Sequence, residues 1–290
     1  MYYIVIPTYE KHFGYNIKFL ESFEKYCLDK DSVIINFILN THNINIFTEN
    51  IRKFNNLFIK LHTLSELINN VDNIEEDDHP NNFSNKYCLQ SMKKLFSYTI
   101  TNNNDFLVMD SENLCLKNFY MKDVFENLKT KPILYSKIIK DIQVNVVDEC
   151  NKILNTNINL WFFLKSYWFF EYDYVIQLTA FLKKHNNNNV FNLLKNKIFF
   201  EYQLYSTYLF LNKLKTFIFI DEIIENEIEI INDTNYEYLC LKLNNNNISK
   251  YCGLINKLGE NIVRLHWMNN DIETNIINNT NICIGTYHWD

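Results

Sequence analysis

Glycine and proline are scarce, with four Gly and three Pro in 290 residues. No glycine-rich phosphate loop and no Gly-x-Ser-x-Gly elbow can be found, which removes two common nucleotide and hydrolase signatures. Asn and Ile are plentiful instead. That bias reads as an AT-rich gene rather than a structural need, and Asn186–Asn189 and Asn244–Asn247 read as loops. Positive charge is also in deficit, 28 Lys and Arg against 34 Asp and Glu, a net charge of −6. Nucleic-acid binding rests on clustered Lys and Arg, so it is not expected. The acid collects in two patches, Asp72–Asp78 and Asp221–Glu229. None of the seven cysteines forms a Cys-x-x-Cys pair, which argues against a zinc cluster or disulfide framework and for a reducing compartment. Long apolar runs are missing too. The N-terminus has no basic leader, and Leu160–Phe170 is broken by Lys165 and Ser166, too short to span a bilayer. A soluble, cytoplasmic protein without a transmembrane segment is expected.

What is present is a 47% hydrophobic and 16% aromatic chain, enough for a folded globule. Apolar runs at Tyr2–Ile6, Val33–Leu39 and Leu57–Leu61 read as buried strands, with a helical pattern through Ile17, Leu20, Phe23, Cys27 and Leu28 between the first two. Helices are expected at Lys86–Ile100, Phe119–Leu128, Ile142–Leu154 and Phe199–Leu214, with further strands at Ile133–Ile138 and Phe217–Ile220. Strands alternating with helices imply an α/β layer architecture around a mainly parallel sheet. The aromatic segment Trp161–Tyr174 reads as core, although rings of this kind also stack on sugars.

The most informative stretch is Asp105–Asn118, DFLVMDSENLCLKN. Phe106–Met109 has the character of a strand buried on both faces, and it ends on Asp110-Ser111-Glu112. Carboxylates at the end of a core strand need a positive partner. If the chain stays extended, Asp110 and Glu112 face the same way and offer two hard oxygen ligands to Mg²⁺ or Mn²⁺, which could also hold a phosphate. A polar turn is the plainer reading. Ligands bind beyond the carboxyl ends of strands in such sheets, so Pro7, Thr8, Tyr9 and Glu10 should share a rim with Asp110, Ser111 and Glu112. On the helix before that strand, Lys86, Gln90 and Lys94 lie at i, i+4 and i+8, either a wet face or a stripe that neutralises a diphosphate. The loop Asp72–Asn82 reads as solvated, or as a lid, with Asp77-Asp78-His79 a weaker metal candidate. Glu201 reads first as an N-terminal helix residue favoured by the dipole.

Several segments together resemble a nucleotide-sugar glycosyltransferase of the GT-A type. Ile4-Val5-Ile6-Pro7-Thr8-Tyr9 is similar to the first strand and turn, where the nucleotide base docks; Val108-Met109-Asp110-Ser111-Glu112 resembles the Asp-x-Asp metal motif with Glu last. Gln90-x-x-x-Lys94-Leu95 and Glu201-Tyr202-x-Leu-Tyr205 look like a little-characterised branch with a Glu-Tyr-x-Leu-Tyr helix. The resemblance implies a GT-A-like, Rossmann-related mixed sheet flanked by helices, with a helical and aromatic acceptor-side elaboration. It also implies one catalytic domain over residues 1–290, with the donor half in 1–140 and the acceptor half and tail in 141–290. The implied reaction is metal-dependent transfer of a hexosyl or N-acetylhexosaminyl group. The sugar would pass from a nucleoside diphosphate sugar, a UDP-sugar by preference, to a glycan or other hydroxyl acceptor, with inversion. Asp110, Glu112 and His266 would hold Mn²⁺ or Mg²⁺, with His288 the rival histidine. Pro7, Thr8, Tyr9, Glu10, Lys86, Gln90, Lys94, Asp110 and Ser111 would face the donor, and Glu201 would be the base. A nucleotidyltransferase and a non-catalytic glycan-binding module are the rival classes.

Overall fold

The computed structural model describes residues 1–83, 86–137, 139, 141–162, 167–185, 189–219, 248–264 and 270–287. The acidic patch Asp221–Glu229, the run Asn244–Asn247 and most of Asn186–Asn189 lie outside them.

A central five-stranded sheet organises the chain. Its strands are β1 (Tyr2–Pro7), β2 (Val33–Leu39), β3 (Phe58–Thr63), β4 (Phe106–Met109) and an edge strand, Tyr167–Phe170, which takes the label β8 in chain order. The spatial order is β3-β2-β1-β4-β8. The first four are mutually parallel, with Ile4 opposite Ile35 on one side and Leu107 on the other; β8 runs antiparallel to β4. This is the mainly parallel α/β sheet expected. Two three-stranded sheets flank it. One joins β5 (Asn113–Cys115), β10 (Ile262–Arg264) and β11 (Ile284–Thr286); the other joins β6 (Ile133–Ser136), β7 (Trp161–Phe162) and β9 (Phe217–Phe219).

Alternation within the strands splits the core in two, because successive side chains leave opposite faces. Tyr3, Val5, Phe106 and Val108 pack on one side, against α3 (Leu64–Asp72), α4 (Lys86–Leu95) and α9 (Glu201–Leu211). Ile4, Ile6, Leu107 and Met109 face the other side, against α1 (Phe13–Tyr26), α2 (Ile44–Ile51) and α5 (Met121–Thr130). All four residues of β4 are fully buried, each worth about 1.5–3 kcal/mol relative to exposure. The remaining helices are α6 (Asp141–Leu154), α7 (Tyr172–His185), α8 (Val190–Leu194), α10 (Ile248–Leu258) and α11 (Asn270–Asn279). The aromatic segment is core, as expected: Trp161, Phe162, Tyr167, Trp168 and Phe170 are all buried. Six cysteines are buried free thiols, and Cys240 lies outside the described residues. Among the described residues no helix is long and apolar enough to cross a membrane.

The expected helix Lys86–Ile100 stops being α-helical at Leu95 and tightens into a 3-10 turn over Phe96–Ile100. That turn ends close to β4 with Asn102 and Asn103 at positive φ. Asn73, which closes α3, and Asn155 adopt the same left-handed region, so among the described residues Asn supplies four of the five non-glycine residues found there, beside Lys213. Asn tolerates that region better than other side chains because its amide bonds locally. The scarcity of glycine is thus met by asparagine. Replacing Asn73 by Gly should leave stability unchanged or raise it, whereas Asn73→Val should cost about 1–2 kcal/mol in urea unfolding; equal stabilities would show that φ at this position carries no strain.

Candidate active site

The strand order 3-2-1-4 reverses direction between β1 and β4, and a crevice opens where neighbouring crossovers leave to opposite faces. Here that crevice is a cleft of about 690 Å³, lined from β1 by Pro7, Tyr9 and Glu10 and from β4 by Asp110, Ser111 and Glu112. Its size lies in the range of small-ligand sites. Gln90 of α4 also lines it. Thr8 does not: it is fully buried, and its hydroxyl accepts from the Asn16 amide. Lys86 begins α4, but its side chain lies outside the described residues.

Asp110-Ser111-Glu112 forms a tight turn between β4 and β5, the plainer of the two geometries the sequence offered. The cause is Asn113. Its buried amide donates back to the Asp110 carbonyl, and its oxygen accepts from the Thr286 hydroxyl at 2.6 Å. Tyr287 N–H donates to the Glu112 carbonyl at 2.9 Å, so the C-terminal strand clamps the acidic turn from outside. The two carboxylates stay close enough to repel each other. Burial first, then the Asp110 charge, pushes the Glu112 carboxyl up to about 7.

Each acid has its own partner. Glu112 is 3.1 Å from His12 Nδ1, and that ring also meets the Ser111 hydroxyl and lies 4.0 Å from the Tyr9 ring. Burial holds the His12 imidazole below its usual value. Asp110 accepts from Lys94 Nζ at 3.2 Å, and the same ammonium lies 3.5 Å from Glu201 Oε1 and 3.4 Å from the centre of the Trp168 ring. Lys94 is therefore gripped by two carboxylates and an aromatic face. Glu201 opens α9 and is only 2% exposed; it stands behind Lys94 rather than on the cleft wall. Burial raises its pKa against the opposing pull of Lys94.

A second buried lysine escaped the sequence reading. Lys93 is fully buried, and it donates to Asn40 Oδ1 at 2.6 Å and to the Thr8 carbonyl at 3.2 Å. The Asn40 amide donates in turn to the Asp78 carbonyl at 2.8 Å, and the Asp78 carboxylate accepts from Thr41 N–H and hydroxyl at 3.0 and 3.1 Å. The loop expected to be solvated is thus pinned at Asp78, which is 1% exposed, and Pro80 from it lines the cleft. A signal existed: Leu89, Met92, Lys93 and Phe96 fall at i, i+3, i+4 and i+7, placing a lysine inside the apolar stripe. His12 and Trp168 gave no comparable signal.

No group of three or more His, Cys, Asp or Glu side chains among the described residues is arranged to hold a metal. His266 and His288 both lie outside the described residues, as do Leu265 to Asn269 around the first. Two carboxylates still suit Mg²⁺ or Mn²⁺, which commonly takes one or two from protein and the rest from phosphate and water. The Glu112 carboxyl, raised first by burial and then by the Asp110 charge, is the observation in favour, since a divalent cation would relieve that second contribution.

Burial lowers the Lys93 amine to about 7, partly offset by Asp78. Above that value the folded protein binds fewer protons than the unfolded chain, whose lysine titrates near 10.5. This lysine's contribution to stability therefore improves as pH climbs through that window. The stability difference between wild type and Lys93→Met should shift toward wild type from about pH 6 to about pH 9 in urea unfolding; a pH-independent difference would mean an ordinary lysine.

No protein-family model matches the chain, and no curated protein matches it significantly. Several solved structures align with part of it. Mouse xyloside xylosyltransferase 1, apo form, aligns over 75% of this chain and 84% of its own, at 10% identity and a TM-score of 0.44. The galactosyltransferase LgtC, with donor and acceptor sugar analogs, aligns over 72% of this chain and 70% of its own, at 10% identity and a TM-score of 0.39. A piece of TarS from S. aureus, in complex with UDP, aligns over 48% and 36%, at 17% identity and a TM-score of 0.31. Two of these three are sugar transferases by name, and the likeness is partial at these TM-scores.

Proposed function

We propose that the protein transfers a sugar, hexosyl or N-acetylhexosaminyl, from a nucleoside diphosphate sugar to a hydroxyl acceptor. A UDP-sugar is the preferred donor and a glycan the preferred acceptor. The observation that carries this reading is the meeting of Tyr9, Gln90, Asp110 and Glu112 in one cleft at the sheet's reversal point, with Lys94 directly behind Asp110. Tyr9, 37% exposed and packed on His12, offers a ring beside Pro7 on which a nucleotide base can lie. Asp110 and Glu112 would hold Mn²⁺ or Mg²⁺, which supplies Lewis-acid stabilisation of the departing diphosphate. Lys94 adds a fixed cation at the same end of the cleft, preorganised by Trp168 rather than by water. Six buried free thiols favour a reducing compartment, the cytoplasm.

The sequence assigned Glu201 the acceptor's proton, with inversion at the anomeric carbon. Its burial and its approach to Lys94 favour a positioning part instead, holding the ammonium over Asp110. The two roles differ in kinetics. A lost base lowers kcat by ~10²–10⁴ with donor KM unchanged, whereas a misplaced Lys94 weakens donor binding. Glu201→Gln is expected to raise donor KM; an effect confined to kcat, together with an inverted product, would restore the base.

Incubation with nucleotide sugars and Mn²⁺ should release free nucleoside diphosphate slowly from one donor, whereas pyrophosphate release from an NTP would mark a nucleotidyltransferase. Asp110→Asn should abolish metal-dependent turnover while leaving the melting temperature unchanged; undiminished turnover would defeat the metal assignment. Because Glu112 must be ionised to bind a cation, Mn²⁺ affinity should fall on the order of tenfold per pH unit below about 7. Titration calorimetry would read it, and a flat profile would exclude Glu112 as a ligand.

A further inference from the structure

A second concavity of about 440 Å³ opens at the far end of β5, where the chain passes from Lys117 to Tyr120. The acidic turn lies just before β5 and this pocket just after it; five extended residues from Glu112 to Lys117 span roughly 16 Å. The back wall is built from amides. Asn127 donates to the Gly259 carbonyl at 2.5 Å and to Asn261 Oδ1, and Asn261 donates to the Asn281 carbonyl at 3.3 Å. Gly259 sits at φ +63°, and a Cβ there would stand 3.3 Å from Asn127 Oδ1, so wall and turn fit closely.

The chemistry of the lining is specific. Lys117 turns its ammonium onto the Ile277 and Thr280 carbonyls, at 2.9 and 2.6 Å, so its charge is engaged inside the protein and the pocket offers an anion no free cation. The side-chain amides of Asn118 and Asn281 and the Tyr120 hydroxyl make no hydrogen bond among the described residues, and all three residues are exposed. Tyr120 is 51% exposed, as is its neighbour Leu28, whose N–H bonds the Phe119 carbonyl. Free carboxamides present both donors and acceptors, which sugar hydroxyls need in pairs. A tyrosine ring adds broad apolar contact at little entropic cost.

We propose that this pocket binds a neutral oligosaccharide, at a site separate from the cleft and not dependent on the transfer reaction. Tyr120 supplies the stacking face, and Asn118 and Asn281 supply the hydrogen bonds.

The test uses the full chain and neutral trisaccharides of glucose, mannose, galactose, xylose and N-acetylglucosamine, followed by saturation-transfer NMR. At least one should bind, and Tyr120→Ala should weaken it on the order of tenfold while melting temperature and donor hydrolysis stay as in wild type. Asn281→Ala, on the other wall, decides the matter if Tyr120→Ala unfolds. Three results would overturn the proposal: no trisaccharide binds, binding survives both substitutions, or UDP competes it away and so places it in the cleft. Sugar binding without donor hydrolysis would sink the transferase reading and leave this site standing.

Discussion

Two carboxylates two positions apart, on one tight turn, stand at the mouth of a strand that is wholly buried. Their mutual repulsion is the constraint to which the surroundings answer. On one side Lys94 leans on Asp110; on the other His12 approaches Glu112. Neither contact cancels the charge, because the histidine is held toward neutrality by burial and Lys94 is shared with Glu201. On the proposed reading, a site left this acidic would take a divalent cation and, through it, an anionic ligand.

Two consecutive lysines of one helix divide the labour around the cleft. Lys94 faces the acidic turn and rests on Trp168, from the antiparallel edge strand. Lys93, about 100° further round the helix, turns inward beneath the other wall, where it joins the ends of β1 and β2 to the loop at Asp78. The lysine pair therefore ties the β1–β2 wall and the acidic wall of the cleft to one helix. An arrangement of this kind is costly to desolvate, and the hydrogen bonds of Lys93 to Asn40 and Thr8 offset part of that cost.

Asparagine plays a related part across the molecule. It takes left-handed positions that glycine usually fills, closes the acidic turn through Asn113, supports the β1–β2 wall of the cleft through Asn40 and lines the second pocket. A short amide that can donate, accept and bend locally serves all four ends. Nucleotide bias in a gene and structural use of its product are therefore compatible.

Much of the fold could be read directly from the chain. Period and apolar runs located β2 and β4 to the residue and put β1, β3, α1, α5 and α6 within a few positions, because local patterns of burial are written locally. The same reasoning placed Pro7, Tyr9 and Glu10 on one rim with Asp110, Ser111 and Glu112, since strand ends follow from strand order in an α/β sheet. What only the tertiary structure decided were contacts between residues far apart in sequence. His12 meets Glu112, Trp168 carries Lys94, Thr286 and Tyr287 brace the acidic turn, and Asp78 is drawn inside from a loop that looked wet. None of those pairings leaves a periodic trace, because a hydrogen bond or a ring contact depends on two backbones arriving at the same place, and that is settled by packing.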